Sequence, residues 1–263
     1  MSATITSRHH PLCKLVRSLH TSKGRKQSKL FLLEGGNAVS SALRVRWPLQ
    51  QLIVPEGELG EEWQRLGESS DVPSLIVDAE LLKYLSDTES APDVIALAKI
   101  PRHQSTLWPS DDLLLVVDGV GDPGNVGTLI RAADAVGASG VALSQNSADA
   151  LAPKVVRSSA GSLFHLPPLP LENNSPEAMV AELQSRHIPI ITAEAHNGID
   201  CYQYDWPNHC ALVLGHETRG VSPIFSQAAT ARVTIPMYGR AESLNVAMAG
   251  TLLLYAWRQH RGI

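Results

Sequence analysis

Residues 113–140 read LLLVVDGVGDPGNVGTLIRAADAVGASG. Leu113–Val117 is an unbroken apolar run, as expected of a strand covered on both faces. Asp118 to Gly127 then holds four glycines, one proline and one asparagine, the composition of a turn. Val126, Leu129, Ile130, Ala133 and Val136 recur at helical spacing, so the turn feeds a helix, with Arg131 and Asp134 off its apolar stripe. Gly137 is placed to stop that helix. A strand passing through a glycine-rich turn into a helix is where open α/β sheets put their ligand sites.

Gly119 to Gly124 matches GxGxxG literally, but the dinucleotide fingerprint also needs an acid about twenty residues on, at the end of the next strand. That strand ends Leu143-Ser144-Gln145, and Pro123 supplies no N–H where the fingerprint's helix should. A nicotinamide-dependent oxidoreductase is therefore disfavoured. There is no GxxxxGK[ST] and no GxSxG. Cys13, Cys201 and Cys210 form no CxxC pair, and no histidines are spaced HExxH or HxxxH, so no metal centre is expected. No apolar run reaches the ~20 residues of a membrane span. A reduced, cytoplasmic setting follows, although the first 33 residues, free of acids, also have the composition of an organellar import segment.

The net charge of −4 conceals a segregation. Residues 1–50 carry nine Lys/Arg against the single acid Glu34, whereas residues 51–105 carry four basic and eleven acidic residues. A basic segment on an acidic chain suggests a footprint for a polyanion, or else a solvated basic face.

Helix and strand alternate through the first hundred residues. A helix runs from Pro11 to about Thr21 on the stripe Leu12, Leu15, Val16, Leu19, followed by a basic loop at Gly24-Arg25-Lys26. Strands are expected at Leu30–Leu33, Leu49–Val54, Ser74–Val77 and Asp93–Lys99, with helices capped by Asn37 and Asp78. This is a small α/β layer domain over 1–100. Residues 101–112, with two prolines and no period, read as a linker. From 113 to 263 the expected strands are Val141–Ser144, Leu163–Leu166, Ile188–Ala193, Cys210–Leu214 and Arg232–Ile235. The helices span Ala150–Ser159, start at Ser175-Pro176 and at Ser222-Pro223, and finish with a long one capped by Ser243. The fold class is α/β, with a mainly parallel sheet in the second domain.

Three strand exits of that sheet are rich in glycine and polar residues: Asn125-Val126-Gly127 through Arg131; Gly215-His216-Glu217-Thr218-Arg219-Gly220; and Ile235-Pro236-Met237 through Ser243-Leu244-Asn245. Glycines let the backbone approach a ligand, and exposed N–H and C=O groups can read a purine edge. The order N-x-G-x-x-x-R-x-A-x-x-x-G, G-x-E-x-x-G and I-P-M-x-G-x-x-x-S-L-N-V-A resembles the three motifs of SpoU-type RNA 2′-O-ribose methyltransferases of the SPOUT class. The resemblance covers about 113–260 and includes KVVRSSAGSLF at 154–164. His216 and Arg219 depart from it, since small or neutral residues are common there. Basic helix, K-G-R, apolar strand and E-G in the first hundred residues resemble the L7Ae-like substrate-binding domain carried by many members.

The resemblance implies a C-terminal trefoil knot, a homodimer, and S-adenosylmethionine held by backbone at Gly215, Ile235 and Leu244, with Thr192 at an earlier strand end. It implies an active site of Asn125, Arg131, Glu217, Ser243 and Asn245, in which Asn125 holds the target ribose and Glu217 contacts substrate or orients Asn125. Read from the residues alone, Asn125, Ser243 and Asn245 are also helix caps and Glu217 a carboxylate at a helix N-terminus. As a standing base an arginine is unattractive, because holding a guanidinium neutral at pH 7 requires about 8 kcal/mol. A phosphate clamp, or a cation beside a developing alkoxide, suits Arg131 better. Lys23, Arg25, Lys26, Lys29, Lys154 and Arg157 are the expected RNA phosphate contacts. The implied activity is 2′-O-methylation of RNA, ribosomal RNA first and a guanosine of 23S type favoured. The alternatives are a tRNA-directed or antibiotic-resistance methylase of the same family, and a non-catalytic RNA-binding or ribosome-assembly protein. A catalytic domain that folds without residues 1–105 is also expected.

Overall fold

The structure, a computed structural model, describes residues 4–100, 112–169, 171 and 173–262. The expected linker lies outside the described residues except for Asp112. Two compact units are present. The first comprises the described residues to 100 together with Leu151–His165, and the second comprises 112–150 and Leu166 to 262.

In the first unit α1 (Pro11–Leu19) begins with proline at its first turn and His10 Nδ1 accepting the Leu12 N–H. It buries Leu12, Cys13, Val16 and Leu19. α2 (Ser22–Ser28) occupies the stretch expected as a loop. Thr21 caps it by accepting the Gly24 N–H, and a Cβ on Gly24 would lie 2.0 Å from the Ser18 carbonyl oxygen, so only glycine permits this close α1–α2 turn. β1 (Leu30–Glu34) is buried throughout. α3 (Gly36–Arg44) starts one residue before the expected cap Asn37, its first N–H donated to Asp93 Oδ1. β2 (Leu49–Pro55), α4 (Glu58–Glu68), β3 (Ser74–Val77), α5 (Ala79–Leu85, capped by Asp78) and β4 (Ile95–Lys99) follow. The sheet order is β1-β4-β2-β3, antiparallel except for β2 on β3. One face packs Leu32, Ile53, Ile95 and Leu97 against α1 and α5.

The second unit opens with β5 (Leu113–Asp118), every residue of which is buried, then α6 (Pro123–Ala135) and β6 (Gly140–Leu143). Gly137, at φ +72°, follows the end of α6. The chain then contributes α7 (Pro153–Ser158) and α8 (Ser162–His165) to the first unit. α8 replaces the strand expected at Leu163–Leu166. A four-residue apolar run fits either element, and here it turns so that Phe164 meets Trp47 edge-on, ring centroids 5.2 Å apart. Back in the second unit come α9 (Pro176–Ser185), β7 (Ile190–Ala193), β8 (Ile199–Asp200), β9 (Cys210–Gly215), α10 (Pro223–Ala228), β10 (Ala231–Thr234) and α11 (Val246–His260). The sheet is parallel throughout, in the order β6-β5-β9-β7-β10-β8. One face packs Leu114, Val116 and Val213 against Met179, Leu183 and Phe225. On the other, a Cβ on Gly250 of α11 would meet Leu129 of α6 at 2.4 Å and Leu214 of β9 at 2.5 Å. Among the described residues no helix is long and apolar enough to cross a membrane.

Candidate active site

β5 and β9 are hydrogen-bonded neighbours in register from Leu113↔Cys210 to Asp118↔Gly215, so the first two glycine-rich exits leave the sheet side by side. β7 flanks β9, and β10 flanks β7. All are parallel, so the third exit, after Thr234, lies on the same edge.

The first exit is pinned by hydroxyls. The Gly119 N–H is shared by Ser144 Oγ and Ser147 Oγ, each at 3.0 Å. α6 is capped by Asp122, which accepts the Asn125 N–H at 3.0 Å, and not by Asn125 as expected. Pro123 fixes the first helical position and places the cap one residue earlier, at Asp122. Asn125 thus has its side chain to spare. Its Nδ2 donates to Glu217 Oε1 at 2.9 Å, and its Oδ1 accepts from Asn245 Nδ2 at 3.1 Å. Asn245, not Ser243, caps α11: its Oδ1 accepts the N–H groups of Ala247 and Met248. An acceptor must face the helix N-terminus, which turns the amide nitrogen of Asn245 toward Asn125. These bonds join residues 92 and 120 positions apart. Ser243 stays in the loop, exposed. Arg131 is exposed on α6 and has no hydrogen bond or ion pair among the described residues.

In the second exit the chain doubles back at once. His216 and Gly220 exchange two backbone hydrogen bonds, 3.0 and 2.8 Å, and Gly220 takes φ +68°. A Cβ on Gly215 would lie 2.1 Å from the Val221 nitrogen, so glycine is obligatory at this crossing. Beside it opens a cavity of about 280 Å³, near the lower end of small-molecule sites. Ala193–Ala195, Gly215–Gly220, Ile235, Met237, Ser243 and Leu244 border it, with Leu214, Val246, Ala249 and Leu253 below. Gly215, Ile235 and Leu244 are therefore cavity residues. Thr192 is not: it is fully buried in β7, one residue short of the lining. Glu194 and Arg219 also line the cavity and were not singled out as ligands; an acid or a base at a strand exit has no distinguishing pattern in sequence.

The expected phosphate contacts divide. Lys23, Lys26 and Lys29 are exposed on and after α2, as is Lys154 on α7. Arg25 is buried and donates to the Leu19 carbonyl at 2.7 Å, tying α2 to α1. Arg157 is ion-paired with Glu34, whose side chain is fully buried on β1. The burial of Arg25 corrects the sequence expectation for that residue, whereas Arg157, ion-paired, keeps 27% of its side chain exposed. A guanidinium packed against the protein's own acceptors shares its composition with one on a binding face.

A cavity lined by the strand exits after β7, β9 and β10, with an amide–amide–carboxylate chain that reaches it at Glu217, defines an α/β protein built to hold a small ligand beside a polar site. Residues 112–255 match the SpoU rRNA Methylase family and residues 10–96 the MRM3-like substrate binding domain; the chain belongs to the SpoU rRNA Methylase family. It is 30% identical over 243 residues to a 23S rRNA (guanosine(2553)-2′-O)-methyltransferase, RlmP, of Bacillus subtilis, covering 92% of this chain and 94% of the relative. It is 32% identical over 260 residues to a 23S rRNA (uridine(2479)-2′-O)-methyltransferase of Streptomyces viridochromogenes, covering 95% and 90%. A crystal structure of the SpoU methyltransferase AviRb from Streptomyces viridochromogenes with the cofactor AdoMet matches the fold with a TM-score of 0.86 at 30% identity, over 97% of this chain and 98% of that one.

Proposed function

We propose that the chain is an S-adenosylmethionine-dependent RNA 2′-O-ribose methyltransferase acting on ribosomal RNA of 23S type in the cytoplasm. The observation that carries this reading is the hydrogen-bond chain Asn245–Asn125–Glu217 beside the cavity. The cavity fits the cofactor in kind. Leu214, Ile235, Met237 and Leu244 offer an apolar bed for an adenosyl group, the backbone of Gly215 to Gly220 offers polar groups at close approach, and Glu194 and Arg219 offer opposite charges to an amino acid's ends. S-adenosylmethionine, when bound, supplies a methyl group on a sulfonium.

The side chains position the ribose and manage its proton. Asn125 uses one amide hydrogen and one oxygen lone pair in the chain and keeps one of each for a ribose hydroxyl. Glu217 Oε2, whose nearest charged neighbour is His216 Nδ1 at 3.9 Å, can accept a proton or a hydrogen bond. Arg131, a cation without a partner among the described residues, balances a backbone phosphate or the alkoxide. Ser243 is a further hydroxyl on the rim. In this reading residues 1–100 bind the RNA through Lys23, Lys26 and Lys29, 113–263 carry the methyltransferase, and its C-terminal part threads as the family's trefoil knot.

The chain acts as a homodimer through α11. Met248, Leu252 and Tyr255, four and three residues apart on one face, are 60%, 39% and 52% exposed. Light scattering should report a dimer, and Leu252→Glu a monomer.

Transfer of labelled methyl from S-adenosylmethionine to 23S rRNA, with the product nucleotide resistant to alkaline cleavage, tests the function. Label appearing on a base, or on tRNA alone, would overturn it.

A further inference from the structure

We infer that Asp118 is a positioning residue of the cofactor site: its buried carboxylate latches the wall of the cavity to the strand that presents the first motif. This rests on the methyltransferase reading above.

The wall is the loop from Gly215 to Val221, whose backbone bonds at His216 and Gly220 close it upon itself. Such a loop is well shaped internally and has to be tethered from outside. Asn125–Glu217 holds its tip, in a half-open position. The second tether is at the base, where Asp118 Oδ2 accepts the Ser222 N–H at 2.7 Å across 104 residues of sequence. Asp118 is 4% exposed at the end of β5, opposite Gly215 in the ladder. Ordinary strand pairing ends at that register, so the carboxylate continues the β5–β9 connection where the backbone no longer can. A short N–H···O bond to a carboxylate away from water is among the stronger single tethers available. Asp118 also precedes Gly119, whose N–H is clamped by Ser144 and Ser147, so the acceptor is rigid on its own side. The consequence is that Gly215 to Gly220 and the start of the Asn125 segment move as one piece, and the cavity wall is built before the cofactor arrives.

Two substitutions break the bond from opposite sides. Asp118→Ala removes the acceptor. Ser222→Pro removes the donor N–H at a backbone already at φ −62°, and the hydroxyl lost with it makes no hydrogen bond among the described residues. Asp118→Asn keeps an acceptor oxygen in place. Calorimetry with S-adenosylhomocysteine should show binding weakened by roughly 10- to 150-fold in both breaking variants, the range for a lost hydrogen bond to a charged group. Amide exchange of residues 216–221, measured without any ligand, should accelerate in both. Asp118→Asn should restore binding and protection. Wild-type binding and protection in Asp118→Ala would overturn the latch, as would an Asp118→Asn protein as impaired as Asp118→Ala while Ser222→Pro is unaffected. If Asp118→Ala does not fold, Ser222→Pro against Asp118→Asn makes the same decision. A wild-type protein that fails to bind S-adenosylhomocysteine refutes the methyltransferase reading, and the exchange data then judge the latch alone.

Discussion

Replacing Arg157 by alanine is expected to destabilise the first unit and to leave any direct RNA contact unchanged. Glu34 sits on β1 with its side chain fully buried, while its partner Arg157 on α7 keeps 27% of its side chain exposed. Among the described residues Glu34 has one further bond, from the Asp87 N–H at 3.3 Å, which is long for a carboxylate. Removing the guanidinium leaves a nearly unpaired carboxylate in a dry site, and breaking a buried pair from one side costs about 3–5 kcal/mol. The reverse change is milder. In Glu34→Gln the amide oxygen still accepts from Arg157, which can also turn toward water, so the loss should fall nearer the ~1 kcal/mol of a half-exposed pair. Combining Arg157→Ala with Glu34→Gln should recover most of the deficit, because the buried charge is gone. Urea unfolding gives the energies, and hydrogen exchange over 153–165 locates them. The reasoning fails if Arg157→Ala unfolds like the wild type and instead lowers the slope of RNA affinity against salt by about one, the mark of a lost phosphate contact.

A chain beginning at residue 106 exposes Val155, Val156, Leu163 and Phe164, all buried in the first unit, at about 1.5–3 kcal/mol each. It should aggregate or bind a hydrophobic dye unless 151–165 is replaced by a short polar linker; a monomeric, dye-free truncation would contradict this. Arg131→Ala should abolish methyl transfer while S-adenosylhomocysteine still binds in calorimetry, and lost cofactor binding would remove Arg131 from the substrate side. Burial pushes the Cys210 thiol up to about 12, and burial followed by Asp200 pushes Cys201 up to about 11, from an ordinary value of 9.0. Both should resist alkylation in the native protein at pH 9. Because the unfolded chain ionises first, stability should be unaffected below about pH 9 and decline from there toward pH 12, read as the urea midpoint against pH.

The second unit was the more legible. β5 announces itself as an unbroken apolar run because a central parallel strand is buried on both faces, and α6 by its 3.6-residue stripe. Gly137 marks the end of that helix through its positive φ. The caps were misplaced because Asp122 and Asn125, or Ser243 and Asn245, are equally good capping residues, and only the start of the helix decides between them. α2 is not legible in the sequence, because SKGRKQS has no apolar period and a glycine in its middle. Its helix is set by tertiary packing on Ser18, which composition does not encode. The packing of 151–165 with residues to 100 was likewise illegible, since it runs against chain order. In the site, Gly215, Ile235 and Leu244 were reachable from their place after strands. The meeting of Asn125 with Glu217 and Asn245 depends on strand order; family resemblance suggests that Glu217 orients Asn125, and nothing in the sequence points to the Asn245–Asn125 bond.

The chain from Asn245 through Asn125 to Glu217 has a direction. Two N–H groups at the start of α11 dictate which end of the Asn245 amide faces outward, and each amide dictates the next until the carboxylate is reached. Rotating either amide by half a turn would set oxygen against oxygen or nitrogen against nitrogen at both of its ends. Amides relay polarity without carrying protons at neutral pH, so within this trio only Glu217 can take up a proton from a substrate. The site is consequently less tolerant of isosteric change than of simple truncation at its far end. An aspartate in place of Asn245 would cap α11 as well as before, yet present an acceptor to the acceptor of Asn125, reversing the message that the helix sends to the carboxylate.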